Sequence, residues 1–142
     1  MAKRRRPSRK RRATTFNLAT FFGTVANGRV ISTYRPKQVI FAQGDVADSV
    51  LYIQSGKVKV TVVSDDGHEA VVAIQGGDEF LGEGCLIGHA KRRMTATAMT
   101  ECDITKIERT EILRVIQEEP DFAQMFISHI LTRNARIEDD LV

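Results

Sequence analysis

LYIQSGKVKVTVVSDDGHEAVV, residues 51–72, decides the fold class. In its middle Val58, Val60 and Val62 alternate with Lys57, Lys59 and Thr61. That is the period of a strand with one face buried and one wet. Ser55-Gly56 on one side and Asp65-Asp66-Gly67 on the other are turn signals, and glycine accepts the positive φ that tight turns need. Two successive hairpins are predicted: 50–54 with 57–62 across Ser55-Gly56, then a second through Asp65-Asp66-Gly67.

Similar short runs extend outward. They are VISTY (30–34), QVIFA (38–42), SVLYI (49–53), EAVVAIQ (69–75), MTATAM (94–99) and CDITKI (102–107), with Gly44-Asp45 and Gly76-Gly77-Asp78 among the breaks. Many short strands with regular turn signals predict a mainly β sandwich or barrel with flanking helices. Before them, TTFNLATFF (14–22) predicts a short helix with Phe16, Ala19 and Phe22 on one face. After them the period changes. Ile112, Val115 and Ile116 fall at helical spacing, and Pro120 suits the start of a new helix. From there Phe122, Met125, Phe126, Ile130, Ile137 and Leu141 predict a long amphipathic helix over 119–142. Beyond Ile130 its stripe narrows to Ile137 and Leu141 among Arg133, Arg136, Glu138, Asp139 and Asp140. A narrow seam flanked by charge suits a helix–helix dimer through Ile130, Ile137 and Leu141; the other reading is a solvated helix end.

With 142 residues and an apolar share of 42%, the chain can fill one core, here 14–118, and no apolar run reaches the ~20 residues of a membrane span. No signal-peptide segment follows the basic N-terminus, so a cytoplasmic location is expected. The net charge of +3 hides a split: KRRRPSRKRR (3–12) holds eight basic residues and no acid, leaving 13 basic against 18 acidic residues, a net of −5, in the rest. Residues 1–13 therefore read as a basic disordered arm. It is either a sequence-blind phosphate-backbone contact for nucleic acid, a solubilising tail, or sequence upstream of the true start. Cys85 and Cys102 are too few for an iron–sulfur cluster and lack zinc spacing, and His68, His89 and His129 are scattered. No metal site, nucleophilic triad or acid–base pair emerges, so an enzyme is not expected.

FLGEGCLIGHAKRRMT (80–95) carries the remaining chemistry. Gly82 and Gly84 allow close backbone approach, 83–87 can make one helical turn, and Arg92 or Arg93 offers a fork matched to phosphate oxygens. Glu83, acceptor-only when ionised, suits a hydroxyl pair such as a ribose edge. With Cys85 these residues describe a pocket for a small sugar-phosphate; the competing reading is a Glu83–Arg ion pair over a tight turn.

YRPKQVIFAQGDVADSVLYIQSGKVKV (34–60), GDEFLGEGCLIG (77–88) and RRMTATAMTECDITKI (92–107), followed by the long helix, together resemble the cyclic-nucleotide-binding domain of Crp/Fnr-type bacterial regulators. The resemblance implies a β-roll (double-stranded β-helix or jelly roll) of about eight strands with flanking helices. It implies a phosphate-binding cassette in which Gly82 and Glu83 match the family's Gly-Glu and Arg92 its phosphate-binding arginine. It also implies a homodimer through the last helix, a small anionic effector such as cyclic AMP or another cyclic nucleotide, and a following helix-turn-helix DNA-binding domain. An alternative is an effector-independent dimerisation module, or a truncated regulator that modulates full-length relatives. Three departures stand out. Arg93 and Met94 follow Arg92 where cyclic-AMP binders have a small residue. Ile137 and Glu138 stand where a Thr-Ser pair would bond the base, and an unpaired base edge costs ~1–3 kcal/mol. No DNA-binding segment follows Val142 in the sequence as read.

Overall fold

The structure, a computed structural model, describes residues 21–22 and 28–140, with 134–140 as backbone only. The 3–12 arm, residues 14–20 of the expected first helix and Leu141 lie outside the described residues, as does the Ile137 side chain; Phe21 and Phe22 are helical. Eight strands follow: β1 Arg29–Tyr34, β2 Val39–Phe41, β3 Ser49–Ser55, β4 Val58–Val63, β5 Glu69–Gln75, β6 Phe80–Leu81, β7 Thr95–Ala98 and β8 Cys102–Glu108. A 3-10 turn, Glu83–Ile87, separates β6 from β7. The helices α1 (Arg109–Glu118) and α2 (Pro120–Asp140) close the chain.

The strands form two four-stranded antiparallel sheets, ordered β1-β8-β3-β6 and β2-β7-β4-β5. This is the β-roll that the resemblance implied. The first predicted hairpin is overturned: β3 pairs with β8 and β6, and β4 with β5 and β7. Ser55-Gly56 therefore carries the chain from one sheet to the other, and Gly56 does so at φ +102°. The second hairpin is present, closed by Gly67 N–H to Ser64 C=O at 2.9 Å and Ser64 N–H to His68 C=O at 2.9 Å. The predicted alternation along β4 ends early. The β4–β5 ladder shifts register between Val60 and Thr61, so Thr61 is buried and Val62 only half so.

Leu51, Ile53, Val58, Val60, Leu81, Ala96, Ala98, Cys102 and Ile104 make the core between the sheets. The first sheet is covered on its other face too. There the rings of Phe22, Tyr52 and Phe80 lie 5.1–6.0 Å apart by centroid, and Thr105 Oγ1 donates to the Phe22 carbonyl at 2.8 Å. Burial and a hydrogen bond to Asp78 raise the Tyr52 hydroxyl far above the usual tyrosine range, so it stays a donor. The second sheet's edge strand β5 is open, with Val71, Val72 and Ile74 all exposed.

By their contacts the described residues fall into two compact units, one ending at Ile112 and the other beginning at Leu113. In the second, Val115, Phe122 and Phe126 are buried, and the Phe122 and Phe126 rings stack at 5.5 Å. Ile127 and Leu131 are 57% and 62% exposed. No helix among the described residues is long and apolar enough to cross a membrane.

Candidate ligand-binding site

β6 pairs with β3 through Leu81↔Leu51 and Phe80↔Tyr52, which delivers Gly82 to the start of β3. From the other side, the 44–47 loop clamps the chain ahead of β7. Arg92 N–H donates to Asp45 C=O at 2.7 Å, Gly44 N–H to Arg92 C=O at 2.8 Å, and Ala47 N–H to Ala90 C=O at 2.9 Å. Arg92 is thereby held across from Gly82 and Ser49.

Its side chain is 7% exposed. Nη1 donates to the Gly82 carbonyl at 3.1 Å, and Nη2 to the Ser49 carbonyl at 2.8 Å and to Ser49 Oγ at 3.0 Å. The guanidinium carbon lies 4.4 Å from the centre of the Phe41 ring, a cation–π distance. Nε is buried without a hydrogen-bond partner among the described residues. Burial lowers the Arg92 pKa, opposed by the nearby charges of Asp48 and Asp45, and an arginine remains charged at neutral pH all the same. No carboxylate forms an ion pair with it among the described residues. Three oxygens of neutral groups solvate this buried cation, and none carries the charge that would balance it.

Gly82 stands at φ +76°, and a Cβ there would fall 2.4 Å from Arg92 Nη1. The glycine thus supplies both the left-handed turn and the space the guanidinium fills. Glu83 opens the 3-10 turn with both carboxylate oxygens buried. Cys85 Sγ points to the same Ser49 carbonyl at 3.5 Å. Burial pushes its thiol up, so it stays protonated at neutral pH. Arg109 Nε donates to the Cys85 carbonyl at 3.0 Å, and Arg109 N–H to the Asp48 carbonyl at 3.0 Å. Gly84 and Arg93 belong to a neighbouring group. Arg93 is exposed, its Nη1 lies 3.2 Å from His89 Nε2, and His89 N–H donates to Gly84 C=O at 3.1 Å.

The structure thus gathers Gly82, Cys85 and Arg92 around Ser49, and sets Gly84 and Arg93 beside His89. A cavity of about 160 Å³ lies on the Arg92 side, lined among others by Phe41, Asp45, Asp48, Ser49 and Lys106 but not by Gly82 or Glu83. Arg92 stands between cavity and turn. Ligand pockets usually run to ~300–1,000 Å³, so a guest of nucleotide size needs side chains to move aside. No cluster among the described residues could hold a metal ion. Ser49, Phe41, His89 and Lys106 are the neighbours that sequence reasoning missed.

Gly82→Ala is expected to cost about 1–2 kcal/mol of stability from its left-handed φ and to push Arg92 off its seat. Chemical denaturation checks this; a midpoint equal to wild type would contradict the close packing described.

The family model described as "Cyclic nucleotide-binding domain" matches residues 31–119, which span all eight strands but the first two residues of β1, and reach through α1. The chain belongs to that family. As a cyclic nucleotide-binding domain it is similar to the CRP-like cAMP-activated global transcriptional regulator of Mycobacterium tuberculosis, at 28% identity over 102 residues, 72% of this chain and 46% of the relative. The chain spans about half the length of the curated relatives it matches. Among solved structures, the catabolite activator protein of Thermus thermophilus superposes with a TM-score of 0.70 at 27% identity, over 91% of this chain and 60% of that one. The c-di-GMP-responsive global regulator CLP of Xanthomonas campestris shares the fold at TM-score 0.73 and 24% identity, over 84% of this chain and 57% of that one. The resemblance to Crp/Fnr-type regulators is borne out.

Proposed function

We propose that this chain is the effector-sensing module of a Crp/Fnr-type transcription regulator, that it is not an enzyme, and that it works as a homodimer in the cytoplasm. A small anion, a cyclic nucleotide first of all, is its effector. The observation that carries this reading is Arg92: a buried guanidinium held by neutral oxygens, with no ion-pair partner among the described residues. Such a group gains from an anionic guest, because a phosphate supplies both the missing charge and a fork-matched acceptor.

In this reading Gly82 leaves room for the guest's phosphate beside the turn, and Glu83 takes its ribose hydroxyls. Cys85 packs the turn against Ser49, and Arg93 adds positive potential from the rim. Binding exchanges the Ser49 and Gly82 contacts of Arg92 for phosphate oxygens. The dimer forms through α2, where Ile130, Ile137 and Leu141 lie on the seam. DNA contact belongs to a segment beyond this chain, or weakly to the 3–12 arm.

The effector's base is a separate matter. One relative is named for activation by cyclic AMP and one structural neighbour for its response to c-di-GMP. Ile137 and Glu138 offer no hydroxyl pair to a purine. We therefore expect weak discrimination: cyclic AMP and cyclic GMP should bind within about tenfold of each other, the worth of one lost hydrogen bond. Isothermal titration calorimetry with cyclic AMP, cyclic GMP and c-di-GMP is the test. Heat from none of the three would remove the nucleotide reading.

A further inference from the structure

Arg92 borders a second space. The cavity of about 160 Å³ on its far side from the turn is lined by four charged residues, Arg92, Lys106, Asp45 and Asp48. Lys106 belongs to β8, where it pairs with Leu51, and the two acids belong to the loop between β2 and β3. Opposite charges therefore enter from different walls. Asp45 is held in place by its Oδ2, which accepts the Ala42 N–H at 2.9 Å. None of Asp45, Asp48 and Lys106 forms an ion pair among the described residues. Arg92 Nε, on a side chain 7% exposed, has no hydrogen-bond partner among them either. A buried donor in that state calls for an acceptor. Tyr34 and Phe41 add apolar wall.

The charges select the guest. Arg92 and Lys106 balance Asp45 and Asp48, so a lone anion at Nε meets two like charges, and a lone cation beside the acids meets the other two. A neutral dipole with a carboxylate at one end and an ammonium at the other meets neither obstacle. Size agrees. A water takes up ~30 Å³ of liquid, so the cavity has room for a guest of about five or six heavy atoms. A nucleotide is far larger. We infer that this cavity binds a small zwitterion, an α-amino acid of glycine or alanine size, with its carboxylate accepting the Arg92 Nε–H on the Lys106 side and its ammonium toward Asp45 and Asp48. The site goes beyond the effector reading and shares only Arg92 with it, because neither Gly82 nor Glu83 lines the cavity.

Proton–nitrogen NMR of the full 142-residue chain reads the Arg92 Nε–H directly, and Arg92→Lys deletes that signal and so assigns it. Titration with L-alanine shifts the signal saturably. Acetate and ethylamine, each carrying one of the two charges, bind at least about tenfold more weakly. Asp45→Asn together with Asp48→Asn reverses the order: alanine weakens about tenfold, and acetate, freed of two like charges, tightens past it. A purely structural role for the acids would not move the two probes in opposite directions. Lys106→Met weakens alanine and acetate alike. All three positions are exposed, and a thermal melt checks that the variants fold. Acetate or ethylamine binding the wild type as tightly as alanine would make this a site for a simple ion and overturn the zwitterion. A signal that no probe moves would leave water as the acceptor and overturn the site. Neither result touches the effector reading, since no cyclic nucleotide enters the experiment.

Discussion

Arg92→Ala is expected to weaken cyclic-nucleotide binding by about 100-fold or more while leaving a folded protein. The affinity loss follows from removing the one buried cation at the site. Truncating one member of a desolvated charge pair costs about 2–5 kcal/mol, and each 1.4 kcal/mol is tenfold in Kd. Stability responds less, because two effects oppose. The Ser49 and Gly82 oxygens lose donors, at ~1–3 kcal/mol for each buried group left unsatisfied. Against that, an unbalanced buried charge disappears, which relieves a penalty of similar size. Arg92→Lys keeps the charge but not the fork, and is expected to fall between alanine and wild type. Calorimetry on the three proteins reads the affinities and a thermal melt reads the folds. Alanine binding as tightly as arginine would show that the anion sits elsewhere.

Gly56→Ala carries the largest expected loss of stability, about 3 kcal/mol or more. A Cβ at Gly56 would lie 2.4 Å from the Glu101 carbonyl oxygen, 2.7 Å from Cys102 Sγ and 2.8 Å from Cys102 Cα, and φ is +102°. The first and last of these obstacles are backbone and cannot swing away. The surroundings also have little slack. Met99 N–H donates to the Lys57 carbonyl at 2.8 Å, and Lys57 N–H to Thr100 Oγ1 at 3.0 Å, so the crossover is tied to the β7–β8 connection. Backbone strain of ~1–2 kcal/mol and an overpacking cost of ~1–3 kcal/mol therefore add. Gly67→Ala is the internal control: φ is +88°, but nothing lies within 4 Å, so only the dihedral term of about 1 kcal/mol applies. Urea midpoints compare the two. Equal losses at both positions would refute the steric account of the crossover.

That crossover also marks the limit of what the sequence disclosed. The strands other than the two-residue β6 were legible, because their β-branched runs and breaks are local, and β5 begins and ends where its run does. The partner of β3 was not. Ser-Gly with positive φ serves a hairpin and a sheet-to-sheet crossing equally well. A clue lay in the change of pattern across it. Val50, Leu51, Tyr52 and Ile53 form an unbroken apolar run and are all buried, as a strand covered on both faces requires, whereas β4 begins by alternating. Two strands of one hairpin share their faces and should share their pattern.

The site was legible in the same partial way. Gly82 and Arg92 stood out because glycine and arginine have few structural substitutes and sit ten residues apart in one stretch. Ser49 and Phe41 gave no signal. Each belongs to a distant strand, and only the pairing of β3 with β6 and the stacking over Arg92 bring them in. Residue chemistry alone left Arg92 and Arg93 equal, and only the family resemblance favoured Arg92; the structure buries Arg92 and leaves Arg93 exposed beside His89.

Asp48 and Ser49 offer consecutive carbonyls to two different arginines: Asp48 to the backbone of Arg109 at the head of α1, and Ser49 to the side chain of Arg92. The leash from pocket to helix is therefore a single peptide link long. In the reading proposed above, a guest that drew Arg92 off Ser49 would act on the peptide adjoining the one that holds the first residue of α1.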